Sequence, residues 1–189
     1  MRFLDALLGR TRPVKARPDA IFALATAQIT LEARFDLHPS GRAGICFKPA
    51  SSSYFTEMER DLRQILTLSG KETGTEIDTS QDSYGYRWVV MRDDSFDDLV
   101  STVYLVSQEL QAHGFGEQLL AAAFPFDQEG QRVYWIYNYK RGHFHPFAPS
   151  GAGKQRNNGL ELRLQAIAGR ELPVEKQQDQ WFALWELPF

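Results

Sequence analysis

Apolar residues recur along this chain with two different periods, and the switches between them predict its elements. At the start, Phe3, Leu4, Leu7 and Leu8 fall on one stripe, with Arg2, Asp5 and Arg10 off it and Gly9 as a stop. That is the pattern of a short amphipathic helix. Two turns are marginal alone in water, so such a helix forms where its stripe is covered. After Pro18 and Asp19 the sequence predicts a short helix over 19–26. A half-buried strand then follows, in which Ile29, Leu31, Ala33 and Phe35 alternate with Thr30, Glu32 and Arg34. His38-Pro39-Ser40-Gly41 reads as a turn and Ala43 to Lys48 as the return strand. From Ser53 to Leu68, Phe55, Met58, Leu62, Ile65 and Leu66 share one face of a helix that stops at Gly70.

The theme recurs. Residues 74–79 and 84–91 read as a hairpin turning at Gln81-Asp82-Ser83, with Tyr84, Tyr86, Trp88 and Val90 on one side. Ser95 is an N-cap with Asp98 three residues on, and Phe96, Leu99, Val103, Val106 and Leu110 form a helical seam ending at His113-Gly114. A strand near 117–125, a turn at Asp127-Gln128-Glu129-Gly130 and a strand over 132–140 follow. The last carries aromatics on both faces, as a central strand does. A glycine-rich link, Ser150-Gly151-Ala152-Gly153, leads to a helix capped by Asn158 with Glu161 in the reciprocal position and ended by Pro173. The apolar run Trp181-Phe182-Ala183-Leu184-Trp185 closes the pattern. Three units of strand, strand and helix behind a leading helix predict an α+β fold. Its sheet is mainly antiparallel, with about six strands built from β-hairpins and helices packed on one face. The other face is left open to a partner. Residues 1–17 read as a basic amphipathic helix and linker, and 18–189 as a single domain.

Composition adds little to this beyond exclusion. The 189 residues are 43% hydrophobic, 13% aromatic and 24% charged, an ordinary globular mixture that argues against disorder, collagen and coiled coil. There is no stretch of about 18 apolar residues to span a membrane, and the N-terminus, superficially like a signal, lacks a long enough apolar run and a small-residue cleavage site, so the reading is cytoplasmic. A lone cysteine, Cys46, excludes an internal disulfide and an all-thiolate metal site. Charge changes the picture more. The formal -3 conceals a leader in which Arg2, Arg10, Arg12, Lys15 and Arg17 face Asp5 alone, against an acid-rich centre over 51–100. A basic leader of this kind packs on its own domain, or docks on a partner helix or an anionic membrane surface.

Catalytic signatures do not emerge: there is no phosphate loop, dinucleotide fingerprint, zincin helix or nucleophile elbow. Cys46 lies mid-strand between Ile45 and Phe47, a setting that raises a thiol pKa and makes it inert. Asp93-Asp94 and Asp97-Asp98 flank a helix start, where acids favour the positive end of the dipole. The cluster to weigh is Lys140-Arg141-Gly142-His143-Phe144-His145-Pro146-Phe147. In an extended chain His143 and His145 point the same way, as two metal ligands must. Without a carboxylate or cysteine at fixed spacing no metal or cofactor is assigned. Lys140, Arg141, His143 and His145 remain candidates for anion or ligand contact. Basic and aromatic residues interleave here as in a single-strand platform, but the acidic balance and the lack of a basic stripe argue against nucleic acid.

Four segments carry a family resemblance: Met1 to Arg10, Pro13 to Thr30, Gly44-Ile45-Cys46-Phe47-Lys48, and Tyr137 to Gly142 with Phe147-Ala148-Pro149. Together they resemble the PspA-associated protein family PspAB, nearly end to end. The resemblance implies a cytoplasmic, non-enzymatic accessory of the phage-shock or envelope-stress system, beside a membrane-binding coat protein of the PspA type, with no cofactor and no catalytic residues to carry over. The expected contact is then residues 1–10, with Phe3, Leu4, Leu7 and Leu8 docking or inserting and Arg2 and Arg10 supplying charge, on the coat protein or at the inner membrane surface. The rival reading is a small-ligand or metal-binding sensor, or an enzyme, with its site around Arg141–Phe147. Oligomeric state is not legible in the sequence.

Overall fold

The run from Ala23 to Phe35 is the first test of the periodicities. In the computed structural model, which describes residues 18–48, 74–128, 130–151 and 153–189, it is one α-helix, α1 (Ala23–Phe35), preceded by a 3-10 turn over Pro18–Phe22. The expected strand at 29–35 is therefore corrected. Leu24, Ala27 and Leu31 are the buried residues, at three- and four-residue spacing, while Ile29 is 72% exposed. The alternation of apolar residues was a coincidence within a stretch rich in strong helix formers. Asp36 ends the helix in the left-handed conformation, its N–H donating to the carbonyls of Glu32 and Leu31.

The remaining described elements are β1 (His38–Pro39), β2 (Arg42–Phe47), β3 (Glu76–Gln81), β4 (Arg87–Arg92), α2 (Phe96–Ala112), β5 (Leu119–Gln128), β6 (Gln131–Asn138), β7 (His143–Phe147), β8 (Pro149–Ser150), β9 (Gln155–Arg156) and α3 (Asn158–Ala168). The fold is α+β, dominated by one antiparallel sheet of seven strands in the order β3-β4-β2-β5-β6-β7, with β1 pairing separately with β5. Hairpins make β3–β4 and β5–β6 neighbours, and a tight turn adds β7. With α1 in place of the first strand, β2 has no hairpin partner of its own. It fills the centre between β4 and β5. The first of the three expected units thus loses its first strand and keeps its return strand as β2, and His38-Pro39, expected as turn, is a short strand against Phe126 and Asp127.

Helix α2 matches its expected seam. The Ser95 hydroxyl accepts from the Asp98 N–H, and Phe96, Leu99, Val103, Val106 and Leu110 are buried. Helix α3 is capped one residue earlier than expected, by Asn157, whose side chain accepts from the Leu160 N–H. It stops at Gly169, well before Pro173, where a Cβ would lie 2.6 Å from the Gln165 carbonyl oxygen. All three described α-helices pack on one face of the sheet around Val89, Phe124, Trp135 and Tyr137. The opposite face, expected to be open, is covered by the chain itself. Residues 181–189 run across it without regular structure, laying Phe182, Leu184, Trp185, Leu187 and Phe189 on a second apolar layer. The expected helix at 53–68 and the leader at 1–17 lie outside the described residues.

Candidate functional site

The strap-covered face owes its shape to small side chains. Gly44 and Cys46 on β2 and Ala121 and Ala123 on β5 leave a trough between Trp88 and Val90 on one side and Tyr134, Ile136 and Phe147 on the other. At Gly44 the trough is deep enough for a ring. A Cβ there would stand 2.6 Å from Cε1 of Phe189 and 3.2 Å from the Trp88 ring, so only glycine lets Phe189 lie against Trp88 and Tyr134. Midway along the strap Trp185 meets Phe147 edge to face.

Arg156 fixes where the strap begins. Its Nε donates to Oε1 of Glu161 at 3.0 Å and its Nη1 to the Trp181 carbonyl at 2.8 Å, with the guanidinium over the Phe147 ring. Glu161 is buried, and the same oxygen accepts the Ala148 N–H at 2.8 Å. This carboxylate therefore joins α3, the end of β7 and the strap through one charge-assisted network. The Trp181 indole N–H donates to the Glu175 carbonyl, completing the anchor.

Between the anchor and Phe189 the strap bridges a cleft of about 440 Å³. Cys46, Trp88, Leu120 and Ala121 form its floor, and Phe182 to Trp185 its roof. Asp82, Tyr84, Tyr86, Asn138, Lys140 and Glu186 stand at the mouth. The acids there already serve internal donors. Asp82 accepts the Tyr84 and Tyr86 amides on Oδ1 and the Trp88 indole N–H on Oδ2, and Glu186 accepts from the Ser83 hydroxyl. Burial, with the Asp82 charge adding to it, pushes the Cys46 thiol up to about 12, so it stays protonated.

A family model described as PspAB, PspA associated protein B, matches residues 1–189. The chain belongs to the PspAB family. No curated protein and no solved structure matches it.

In this PspAB chain the residues singled out by the sequence part company. Lys140 lies at the cleft mouth, and its ammonium has no ion-pair partner among the described residues. Arg141 turns away from the cleft, its Nε 2.5 Å from Oε2 of Glu175 and its Nη2 3.2 Å from Oε1 of Gln177. Burial alone would raise the Glu175 carboxyl, but hydrogen bonds from Arg141 and the Gln177 amide outweigh it and hold the group below the usual carboxylate range. His143 and His145 share one face of β7, as an extended strand requires, yet their settings differ. The His143 Nδ1–H donates to the Arg141 carbonyl at 2.7 Å. His145 is 1% exposed, packed between Trp181 and Phe182, with Nδ1 on the Pro146 carbonyl and Nε2 unpartnered. Burial pushes its pKa down to about 4, so the ring is neutral.

Among the described residues no three His, Cys, Asp or Glu side chains gather as a metal site, and no helix is long and apolar enough to cross a membrane. At the start of α2, Asp93 accepts the Ser95 amide and the Thr75 hydroxyl, the capping work expected of it. Phe3, Leu4, Leu7, Leu8, Arg2 and Arg10 lie outside the described residues. The sequence reading missed the cleft itself. Its signal was the pairing of a small-residue strand, Ala121-Ala122-Ala123, with an aromatic tail.

Proposed function

We propose that this chain is a non-enzymatic accessory protein of a PspA-type membrane-stress system, acting in the cytoplasm and binding a PspA-like coat protein at or near the inner membrane surface. The observation that carries this reading is the full-length family match, over residues 1–189, to a family described as PspA-associated. The geometry around Arg141–Phe147 supports binding over chemistry. Arg141 and Glu175 engage each other, His143 is held by a backbone carbonyl, and His145 is sealed under the strap. These groups hold the fold together and leave no converging set for a substrate.

The contact is assigned to residues 1–10, whose apolar stripe and flanking arginines suit a partner helix or an anionic surface. The test is a pull-down of the PspA-like protein from the source cell with the full chain and with a chain lacking residues 1–10, alongside flotation with anionic vesicles. Association should be lost on truncation while the melting temperature changes little. Retained association by the truncated chain would refute the assignment, and a truncated chain that unfolds would place the leader in the core.

A further inference from the structure

We propose that the cleft under the strap binds a single-chain anionic amphiphile, its apolar tail against Trp88, Leu120, Ala121 and Trp185 and its acidic head at Lys140. The cleft's volume, about 440 Å³, falls within the usual range for small-molecule sites. Its floor and roof are apolar or aromatic, with Cys46 held as an uncharged thiol, so the side chains that face a tail are themselves uncharged. Polar groups are confined to the mouth, the arrangement that orients an amphiphile.

The sign of the head group follows from which mouth groups are already engaged. Asp82 accepts three internal hydrogen bonds and Glu186 one, all from neutral donors that leave both carboxylates charged, and Lys154, held on the Tyr84 hydroxyl, acts on Glu186 as a nearby cation. Lys140 has no counter-ion among the described residues. Beside it, Asn138 uses its Oδ1 to accept the Lys140 and Arg141 amides, leaving its side-chain N–H groups as the unengaged end. Donors without acceptors therefore converge at one end of an apolar slot, and a carboxylate or phosphate head satisfies them.

Calorimetric titration of the full chain with decanoate, decyl phosphate, decanol and decyltrimethylammonium tests this, with quenching of Trp88 and Trp185 by a brominated fatty acid as the site-specific readout. Both anions should bind saturably, at least about tenfold tighter than decanol, and octanoate should bind more weakly than decanoate by up to about fourfold per methylene lost. Tighter binding of the phosphate points to a phospholipid-derived ligand and tighter binding of decanoate to a free fatty acid, and either upholds the class. Lys140→Met should abolish the preference for anions over decanol without changing the melting temperature, and Ala121→Leu should weaken every ligand. No saturable binding, an unchanged anion preference in Lys140→Met, or a preference for decyltrimethylammonium would overturn the proposal.

Discussion

Gly44 and His145 both lie beneath the strap, and each sets a different limit on it. A methyl group at position 44 would occupy space held by the Phe189 ring, which is itself confined by Trp88 and Tyr134. Gly44→Ala should therefore destabilise the chain by about 1–3 kcal/mol, the usual range for overpacking, seen as a lowered midpoint in urea. His145 adds a pH dependence whose sign is fixed. Its folded pKa of about 4 lies below the ordinary 6.5, so as pH falls the unfolded chain takes up the proton first. Stability contributed by the neutral ring is complete above pH 6.5 and is lost progressively down to pH 4, by about 3 kcal/mol in all. Burial is the main cause, reinforced by the Arg156 charge and opposed by Glu175 and the Pro146 carbonyl. Denaturant midpoints measured between pH 7 and 5 should fall for the native chain. They should stay much flatter for His145→Gln, since the Glu175 carboxylate titrates below that window.

Among the elements, the strap is tied to the rest of the fold at its start by Arg156. Arg156→Met keeps much of the packing over Phe147 but strands the buried Glu161 carboxylate and frees the Trp181 carbonyl. A loss on the order of 3 kcal/mol is expected in equilibrium unfolding, the cost of leaving one member of a buried pair uncompensated. The same elements show what the sequence can carry. Helix α2 was legible because its cap, its seam and its stop all agreed. The β3–β4 and β5–β6 hairpins were legible because Asp82 and Gly130 mark tight turns between alternating runs. Helix α1 was misread because Ile29, Leu31, Ala33 and Phe35 fit a period of two as well as helical burial of Leu24, Ala27 and Leu31. Strand β7 was read as a polar cluster, since Lys140 to His145 looks like surface until β6 pairs with it. The cleft was hardest to read, because it joins Cys46, Trp88 and Trp185 across long stretches of chain, and its one trace, a small-residue strand and an aromatic tail, is split between distant segments.

At the scale of the molecule, the sheet separates two apolar layers among the described residues, one under three α-helices and one under nine residues of irregular chain. The second has far less backbone hydrogen bonding to hold it, so it should open first. Cys46 reports that opening. Its thiol is buried beneath the strap and kept protonated, so an alkylating reagent should label it very slowly in the native chain. Labelling should quicken in Gly44→Ala or Arg156→Met while the far-UV circular dichroism is retained. An acceleration no larger than each variant's loss of global stability accounts for would mean that the thiol is exposed by global unfolding and that the strap has no separate motion.

The strap's two fixed ends also decide what can compete with it. Held at Trp181 by Arg156 and at Phe189 by the gap over Gly44, the span between is an intramolecular ligand of its own sheet. A tether that short gives it an effective concentration on the order of millimolar or above. A free peptide seeking the same face would meet a competitor that dilution cannot remove. A small molecule entering the cleft beneath the span displaces nothing and escapes that competition.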